Sequence, residues 1–387
     1  MNGFSPAFAA RLLVVDDNPM NCDLLARRLA RLGHEVAIAA DGILALACLR
    51  QADFDLVLLD ITMPGMDGYQ VLEAMKADEA LRNVPVVMVS AIDESESVVR
   101  CLDLGADDYL PKPFNPAVLR ARVESSLARK RLRDAERRQL QAIERELEIG
   151  RRIQAGFLPE SVPRLDGWDI GARFLPARQV AGDFYDIFPV GENGIALVVA
   201  DVCDKGVGAA LYMALFRSLI RAIATQQDDA DAHAMLGRTA RATSDYIATV
   251  HGSANMFATA FVAVLDPRTG ELAYLNAGHD APLHALAGGA IERLGPTGPA
   301  LGIMPGLHFA IASTRIAPGD LLLAFTDGVT EAGAPAAPFG ETGILDRMLR
   351  CRGAVDGLLD EIVAGVEALG DERPDDVTML AVRRAAA

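Results

Sequence analysis

Between Arg11 and about Ser126, five short apolar runs (LLVV, EVAIA, DLVLL, VPVVMVS and DYL) alternate with stretches long enough for a crossover helix, and no other feature restricts the fold so strongly. Apolar runs without polar alternation suit strands buried on both faces, so the pattern predicts an α/β, flavodoxin-like, five-stranded parallel sheet covered by helices. In such sheets ligands gather beyond the carboxyl ends of the strands. Those ends carry Asp16 and Asp17 after LLVV, Asp60 closing DLVLL, Ser90 after VVMV and Lys112 after DYL. Carboxylates at close quarters repel one another unless a hard cation sits among them, and an all-oxygen donor set favours magnesium or manganese. With that cation and Lys112 neutralising charge, Asp60 can attack a phosphoryl donor, and Ser90 can hydrogen-bond the transferred oxygens. A single strand-end Asp reads more simply as a helix cap, and a lone Tyr109 as packing, but caps have no use for the strand-end lysine.

Taken in order, the acidic pair of VVDD, the run DITMPGMDG and the lysine before cis-prone Pro113 resemble the response-regulator receiver family over residues 10–126. The resemblance implies that Asp60 accepts a phosphoryl group from a sensor histidine kinase or a phosphotransfer protein. It further implies that Asp16, Asp17 and Asp60 bind Mg2+ with the backbone carbonyl of Thr62, and that Ser90 and Tyr109 relay the change.

Residues 117–154 contain no proline and place apolar Leu119, Val123, Leu127, Leu140, Ile143, Leu147 and Ile153 among charges, which predicts one long amphipathic helix, heptad-like in its second half. It reads either as a solvated linker or as a signalling helix through which a homodimer forms. Beyond it the chain alternates strands (LVVADV, ATAFVAVLD, LAYLNAG, LLLAFTDG, VTMLAVRR) with helical stretches at 209–225 and 231–250. This is an α+β pattern, an antiparallel β-sandwich flanked by helices. The expected division is a domain at 10–126, a helical linker at 127–158 and a second domain at 159–385, with a mobile loop at 333–338.

Acidic residues border the strands of the second domain: Asp183 and Asp186 in AGDFYD, Asp201 and Asp204 in VADVCDKG, Asp327 in FTDGVTEA, and Asp375 and Asp376 in RPDDVTML. Unpaired carboxylates at strand ends destabilise a fold unless cations hold them, whereas two bridged metal ions would do so and activate a water for in-line attack on a phosphate monoester. His279 in NAGHDAP reads first as a loop or packing residue, and the glycines of DKGVGAAL as a tight helix entry.

From about Leu147 onward these clusters resemble the metal-dependent protein phosphatase family in its SpoIIE-like branch, which serves sigma-factor switches. The resemblance implies two Mn2+ or Mg2+ ions. Asp183, Asp201 and the Val202 carbonyl would serve one, and Asp327 and Asp375 the other, with Asp376 the rival of Asp375. It also implies a phosphorylated anti-sigma-factor antagonist as substrate, and a linker helix, ELEIGRRIQAGFLP, coupled to catalysis. Two departures stand out, Ala181 where a glycine is common and CDKG in place of a Ser-Gly-Lys-Gly type of loop.

A formal net charge of −16 disfavours nucleic acid and anionic membranes, and no basic helix-turn-helix follows the first domain, so direct DNA binding is not expected. The N-terminus has no basic region followed by a long apolar run, and no stretch of about 18 apolar residues is apparent, so a cytoplasmic location without membrane attachment is expected. The five scattered cysteines lack metal-ligand spacing and fit a reducing compartment. The expected function is therefore a two-component response regulator controlling a phosphatase. The competing expectation is a catalytically vestigial scaffold that sequesters a partner-switching protein.

Overall fold

The computed structural model describes residues 9–91, 95–113, 115–159, 161–226, 231–351, 353–370 and 374–386. The chain divides into two compact units, Met1–Ile143 and Glu144–Ala387.

In the first unit, strands β1 (Arg11–Val15), β2 (Glu35–Ala39), β3 (Leu56–Asp60), β4 (Val86–Ser90) and β5 (Asp108–Pro111) form a wholly parallel sheet in the order β2-β1-β3-β4-β5. Every residue of β3 and β4 is buried, as a sheet covered on both faces requires. The side chains alternate: Leu13, Val15, Val57 and Leu59 enter one core, and Leu12, Val14, Leu56 and Leu58 the other. Crossover helices α1 (Pro19–Arg31), α2 (Gly42–Gln51), α3 (Gly68–Ala77) and α4 (Ser95–Asp103) link the strands. Asn18, Asp41 and Asp67 cap the first three by accepting backbone amides, which fixes where each strand hands over to its helix. Helix α5 (Pro116–Ala155) buries Leu119, Val123 and Leu127 in the second of these cores. Further along, Leu132, Leu140, Ile143, Ile149 and Ile153 are exposed.

The second unit is a sandwich of two antiparallel sheets. One has the order β13-β10-β9-β8-β7 and the other β12-β11-β14-β17-β6. These strands are β6 (Trp168–Leu175), β7 (Phe184–Val190), β8 (Gly194–Val202), β9 (Ala258–Leu265), β10 (Glu271–Ala277), β11 (Leu283–Ala285), β12 (Ile291–Arg293), β13 (Ala312–Arg315), β14 (Leu321–Phe325) and β17 (Val377–Arg384). Leu197, Val199, Phe261 and Ala263 of the first sheet meet Leu322, Ala324, Leu380 and Val382 of the second in the central core. Helices α6 (Val207–Thr225) and α7 (Ala232–Val250) cover the outer face of the first sheet. After the short α8 (Asp327–Thr330), α9 (Gly340–Arg350) and α10 (Val355–Glu367) cover the second.

Two expectations change. Residues 333–338 are not an open loop but a small hairpin of β15 (Gly333–Ala334) and β16 (Ala337–Pro338), turned at Pro335 and Ala336 and entered through Gly333 with φ 95°. Among the described residues one helix, α6, is long and apolar enough to cross a membrane by length and composition. Its Ala209, Met213, Phe216, Ile220 and Ala224 are instead buried against α7 and the outer face of the first sheet, and its Arg217 and Arg221 pair with Asp186, so within this fold it is a packed helix.

Candidate active sites

In the first unit, Asp16, Asp17 and Asp60 bring carboxylate oxygens within 4.8 Å of one another. Asp16 and Asp60 are buried and Asp17 is exposed. Lys112 Nζ lies 2.7 Å from Asp16 Oδ2 and 3.0 Å from Asp60 Oδ2. The Asn18 amide donates to Asp16 Oδ1 at 2.9 Å, and Asn21 Nδ2 donates to the same carboxylate. Burial pushes the Asp60 carboxyl up, against the pull of Lys112. Burial opposes the Lys112 charge, but Asp16 and Asp60 prevail and raise its pKa. Three carboxylates against one ammonium leave two negative charges, a balance suited to one divalent cation.

The fold supports this pocket closely. A Cβ on Gly68 would strike the Asp60 carbonyl, so only glycine fits there. The Lys112 amide donates to the Ser90 carbonyl at 2.6 Å, and the Lys112–Pro113 peptide is cis. Ser90 and Tyr109 are buried and Thr62 is exposed just past β3; Phe114 of the DYLPKPF segment lies outside the described residues.

In the second unit the acidic residues come together from four chain segments. Asp183 precedes β7, Asp201 sits near the end of β8, Asp327 opens α8 after β14, and Asp375 and Asp376 precede β17. Asp183 is buried, and its Oδ2 accepts the hydroxyls of Thr326 and Thr378, each at 2.7 Å. Burial and then the Asp201 charge raise its pKa well above the carboxylate range. Asp201 hydrogen-bonds Asp183 and is pushed up to about 7, by burial and then by Asp327. Asp327 is pushed up to about 6, by burial and then by Asp375. Each carboxylate thus loads the next, and no positive side chain pairs with Asp183, Asp201 or Asp327 among the described residues. Such a row is the donor set a pair of hard divalent cations would occupy. The oxygens are spread more widely than in the first unit, since no three of them fall within 4.8 Å among the described residues.

Adjacent Asp375 and Asp376 differ sharply. The Asp375 carboxylate faces outward to Lys205 Nζ at 2.7 Å. The Asp376 oxygens accept the backbone amides of Ala177 and Gly182, at 2.7 Å and 2.8 Å, so Asp376 serves as a brace. Asp186 is not part of the row; it is buried under Arg217 and Arg221. Val202 is buried with its carbonyl against Gly182, where a Cβ would come within 2.9 Å. Asp204, in the left-handed region at φ 72°, turns the chain toward Lys205. Gln154, from the last turn of α5, grips both the carbonyl and the amide of Ala181, two residues before Asp183. His279 is buried, and burial lowers its pKa to about 4. Thr326, Thr378, Lys205 and Gln154 are not legible as site residues from sequence; the visible signal is a threonine in two of the four acidic motifs, in FTDG and DDVT.

The Stage II sporulation protein E (SpoIIE) family matches residues 191–385, and the response regulator receiver domain family matches residues 12–124. Protein IcfG of Synechocystis sp. is 42% identical over 264 residues, which make up 62% of this chain and 41% of IcfG. Response regulator PleD of Caulobacter vibrioides is 41% identical over 167 residues, 43% of this chain and 34% of PleD. The matched regions therefore span less than half the length of these curated relatives. The solved SiaA-PP2C domain of Pseudomonas aeruginosa, 22% identical, superimposes with a TM-score of 0.55 over 63% of this chain and 98% of that domain, a likeness of fold.

Proposed function

Because the chain belongs to the Stage II sporulation protein E (SpoIIE) family and carries a response regulator receiver domain ahead of the matched region, we propose that phosphorylation of Asp60 regulates a metal-dependent serine/threonine protein phosphatase in the second unit. The observation that carries this reading is the row Asp183, Asp201, Asp327 and Asp375, three of whose members have no positive partner among the described residues. Asp183, Asp201 and the Val202 carbonyl would hold one Mn2+ or Mg2+, and Asp327 and Asp375 the other. Asp376 has its oxygens committed to backbone amides and is left out of the set. When bound, such a pair supplies the charge that activates water and balances the attacking and leaving oxygens of a phosphate ester. The chain's own contribution is placement. Thr326 and Thr378 fix the rotamer of Asp183, Asp376 ties the approach to β7 onto the start of β17, and Lys205 holds Asp375.

In the first unit, Asp16, Asp17, Asp60 and the Thr62 carbonyl would hold Mg2+. Asp60 attacks the phosphorus of a phosphohistidine on a sensor kinase or phosphotransfer protein; the P–N bond breaks as the P–O bond forms, and imidazole leaves with the electron pair. Lys112 sits at the oxygen edge of Asp60, where the added charge develops, and Ser90 lies at the adjoining strand end. We assign the substrate as a phosphorylated anti-sigma-factor antagonist, in the cytoplasm and without DNA or membrane binding. Domain limits of 10–126, 127–158 and 159–385, and a homodimer through the linker helix, belong to the same proposal.

The test is phosphate release from a phosphoserine protein in Mn2+ and then in chelator, before and after acetyl phosphate treatment. Turnover that needs Mn2+ and changes on treatment in the wild type, but not in Asp60→Asn, is expected. Absence of turnover under every condition would favour the sequestering scaffold, a reading the uncompensated carboxylates oppose, since binding alone gives no reason to bury them.

A further inference from the structure

Apart from α5, nine large apolar residues stand exposed among those described in the second unit, and seven of them gather at one place. Val207 and Leu211 lie one turn apart on α6, and Tyr246 and Val250 one turn apart near the end of α7. The His251 ring joins the two helices, its centroid 5.7 Å from those of Tyr212 and Tyr246. The chain from 301 to 306 is seated on α7, where the Gly302 amide donates to Ser244 Oγ at 3.0 Å and the Gly306 amide to Asp245 Oδ1 at 2.7 Å. Between those anchors Ile303 and Met304 are exposed. A Cβ on Gly302 would come within 2.7 Å of Ile247, so the seat admits only glycine. The Ala258 amide donates to the Leu301 carbonyl and brings Phe257, the seventh residue, alongside. This face begins at the rim of the acidic row. Cys203, two residues after Asp201, donates its amide to the Phe257 carbonyl at 3.0 Å and accepts the Phe257 amide on Sγ at 3.2 Å. Lys205, the partner of Asp375, stands two residues before Val207.

We propose that this face docks the phosphoprotein substrate by taking up apolar side chains that flank its phosphoserine or phosphothreonine. The inference rests on the phosphatase reading above and names the surface through which that site selects its substrate. A phosphoserine stem is short, so the ester reaches the aspartates only when the surrounding substrate surface rests on their rim, and this face is part of that rim. The inward sides of α6 and α7 already complete the fold, whereas the outward apolar groups serve no packing. Large apolar groups clustered in the open mark an interaction surface. The one carboxylate among these contacts, Asp245, is committed to the Gly306 amide, which leaves apolar contact as the chemistry offered. With a net charge of −16 the chain gives a phosphorylated partner no long-range attraction, so affinity has to come from short-range burial. A second copy of this chain would cover the same side chains but make no use of the row beside them.

The test uses the full-length protein in Mn2+ with p-nitrophenyl phosphate and two synthetic phosphoserine peptides of equal length and charge. One carries leucine and valine on either side of the phosphoserine, the other glycine and asparagine. Wild type is expected to favour the apolar peptide about tenfold or more in kcat/KM, through KM, as burial of about one leucine would give. Leu211→Ser combined with Met304→Ser is expected to reduce that preference to about twofold or less, with kcat and p-nitrophenyl phosphate turnover unchanged. If the double variant fails to fold, Leu211→Ser alone decides by the same KM comparison. Equal kcat/KM for the two peptides in wild type, or an undiminished preference in the variant, overturns the proposal. A wild-type dimer that these substitutions break in sedimentation, with the peptide preference intact, gives the face to a second copy and overturns it as well. Turnover of p-nitrophenyl phosphate without peptide preference fails the docking alone. Turnover of none of the three esters fails the phosphatase reading, and the docking falls with it.

Discussion

Lys205 Nζ lies 2.7 Å from Asp375 Oδ2 and equally close to the Pro374 carbonyl, so an ammonium group sits where Asp375 would otherwise present its charge to a cation. In the proposed site, lysine and metal would compete for that one carboxylate. The pair is part-exposed, which keeps the contest mild. Lys205→Met should tighten Mn2+ binding by roughly two- to fivefold, the worth of a partly screened ion pair. Calorimetric titration checks this, and weaker binding would show that the ammonium assists the metal rather than opposing it.

Asp201 and Asp327 stand at about 7 and about 6, against an ordinary value of 3.8. A carboxyl raised in the folded state contributes stability that is present below its unfolded value and lost as pH rises through the folded one. The metal-free second unit should therefore lose stability between pH 4 and pH 7, roughly the window set by those shifts. Asp201→Asn has no charge to lose. In chelator its melting temperature should match wild type near pH 4 and exceed it by roughly 2–4 °C near pH 7.5. Added Mn2+ should reverse the order, since only the wild type gains a full ligand set. A constant gap across this range would contradict the assigned environment of Asp201.

Mn2+ affinity should itself climb with pH over the same interval, because each ligand must shed its proton before it can bind. Titrations at pH 5.5 and 7.5 are expected to differ by roughly tenfold or more. Equal affinities would mean that the ions are held by groups outside this row.

In the first unit Lys112 is the counterion of two buried carboxylates. Removing one partner of a buried pair leaves charge uncompensated at a cost of about 3 kcal/mol. Lys112→Ala should lower the denaturant midpoint of that unit in chelator, and Mg2+ should recover part of the loss. Asp60→Asn added to Lys112→Ala should relieve part of it as well, whereas strictly additive losses would indicate that the pair is not coupled.

Glycines 328 and 208 offer a contrast of opposite sign. A Cβ at Gly328 would overlap the Asp376 carbonyl, while one at Gly208 in α6 meets nothing within 4 Å. Gly328→Ala should destabilise by about 2 kcal/mol or more, and Gly208→Ala should stabilise by about 0.5–1 kcal/mol. Chemical denaturation measures both.

The parallel sheet was legible because its strands are uninterrupted apolar runs and its functional groups sit at their ends, where topology alone brings them together. The sandwich strands were legible for a similar reason. What resisted reading was partnership across long sequence distances. Asp186 looks like a member of AGDFYD, but Arg217 and Arg221, a full helix away, claim it. Thr326 and Thr378 look like ordinary strand formers until their hydroxyls are seen on Asp183. Asp375 and Asp376 are chemically identical neighbours, and only the turn of the backbone ahead of β17 sends one toward Lys205 and the other onto amides. The hairpin at 333–338 was hidden by its alanines and prolines, a composition that reads as open chain.

The grip of Gln154 on Ala181 gives α5 a mechanical property. A side chain that both donates to a carbonyl and accepts from an amide of the same residue behaves as a pinned joint, with no slack along the helix axis. One residue of axial travel in a helix is about 1.5 Å, more than a metal–ligand bond tolerates. Sliding or twisting the last turn of α5 by even a fraction of a residue must either break that joint or carry Ala181, and Asp183 two residues on, out of alignment. The helix end and the Asp183 carboxylate are thus joined as crank to valve.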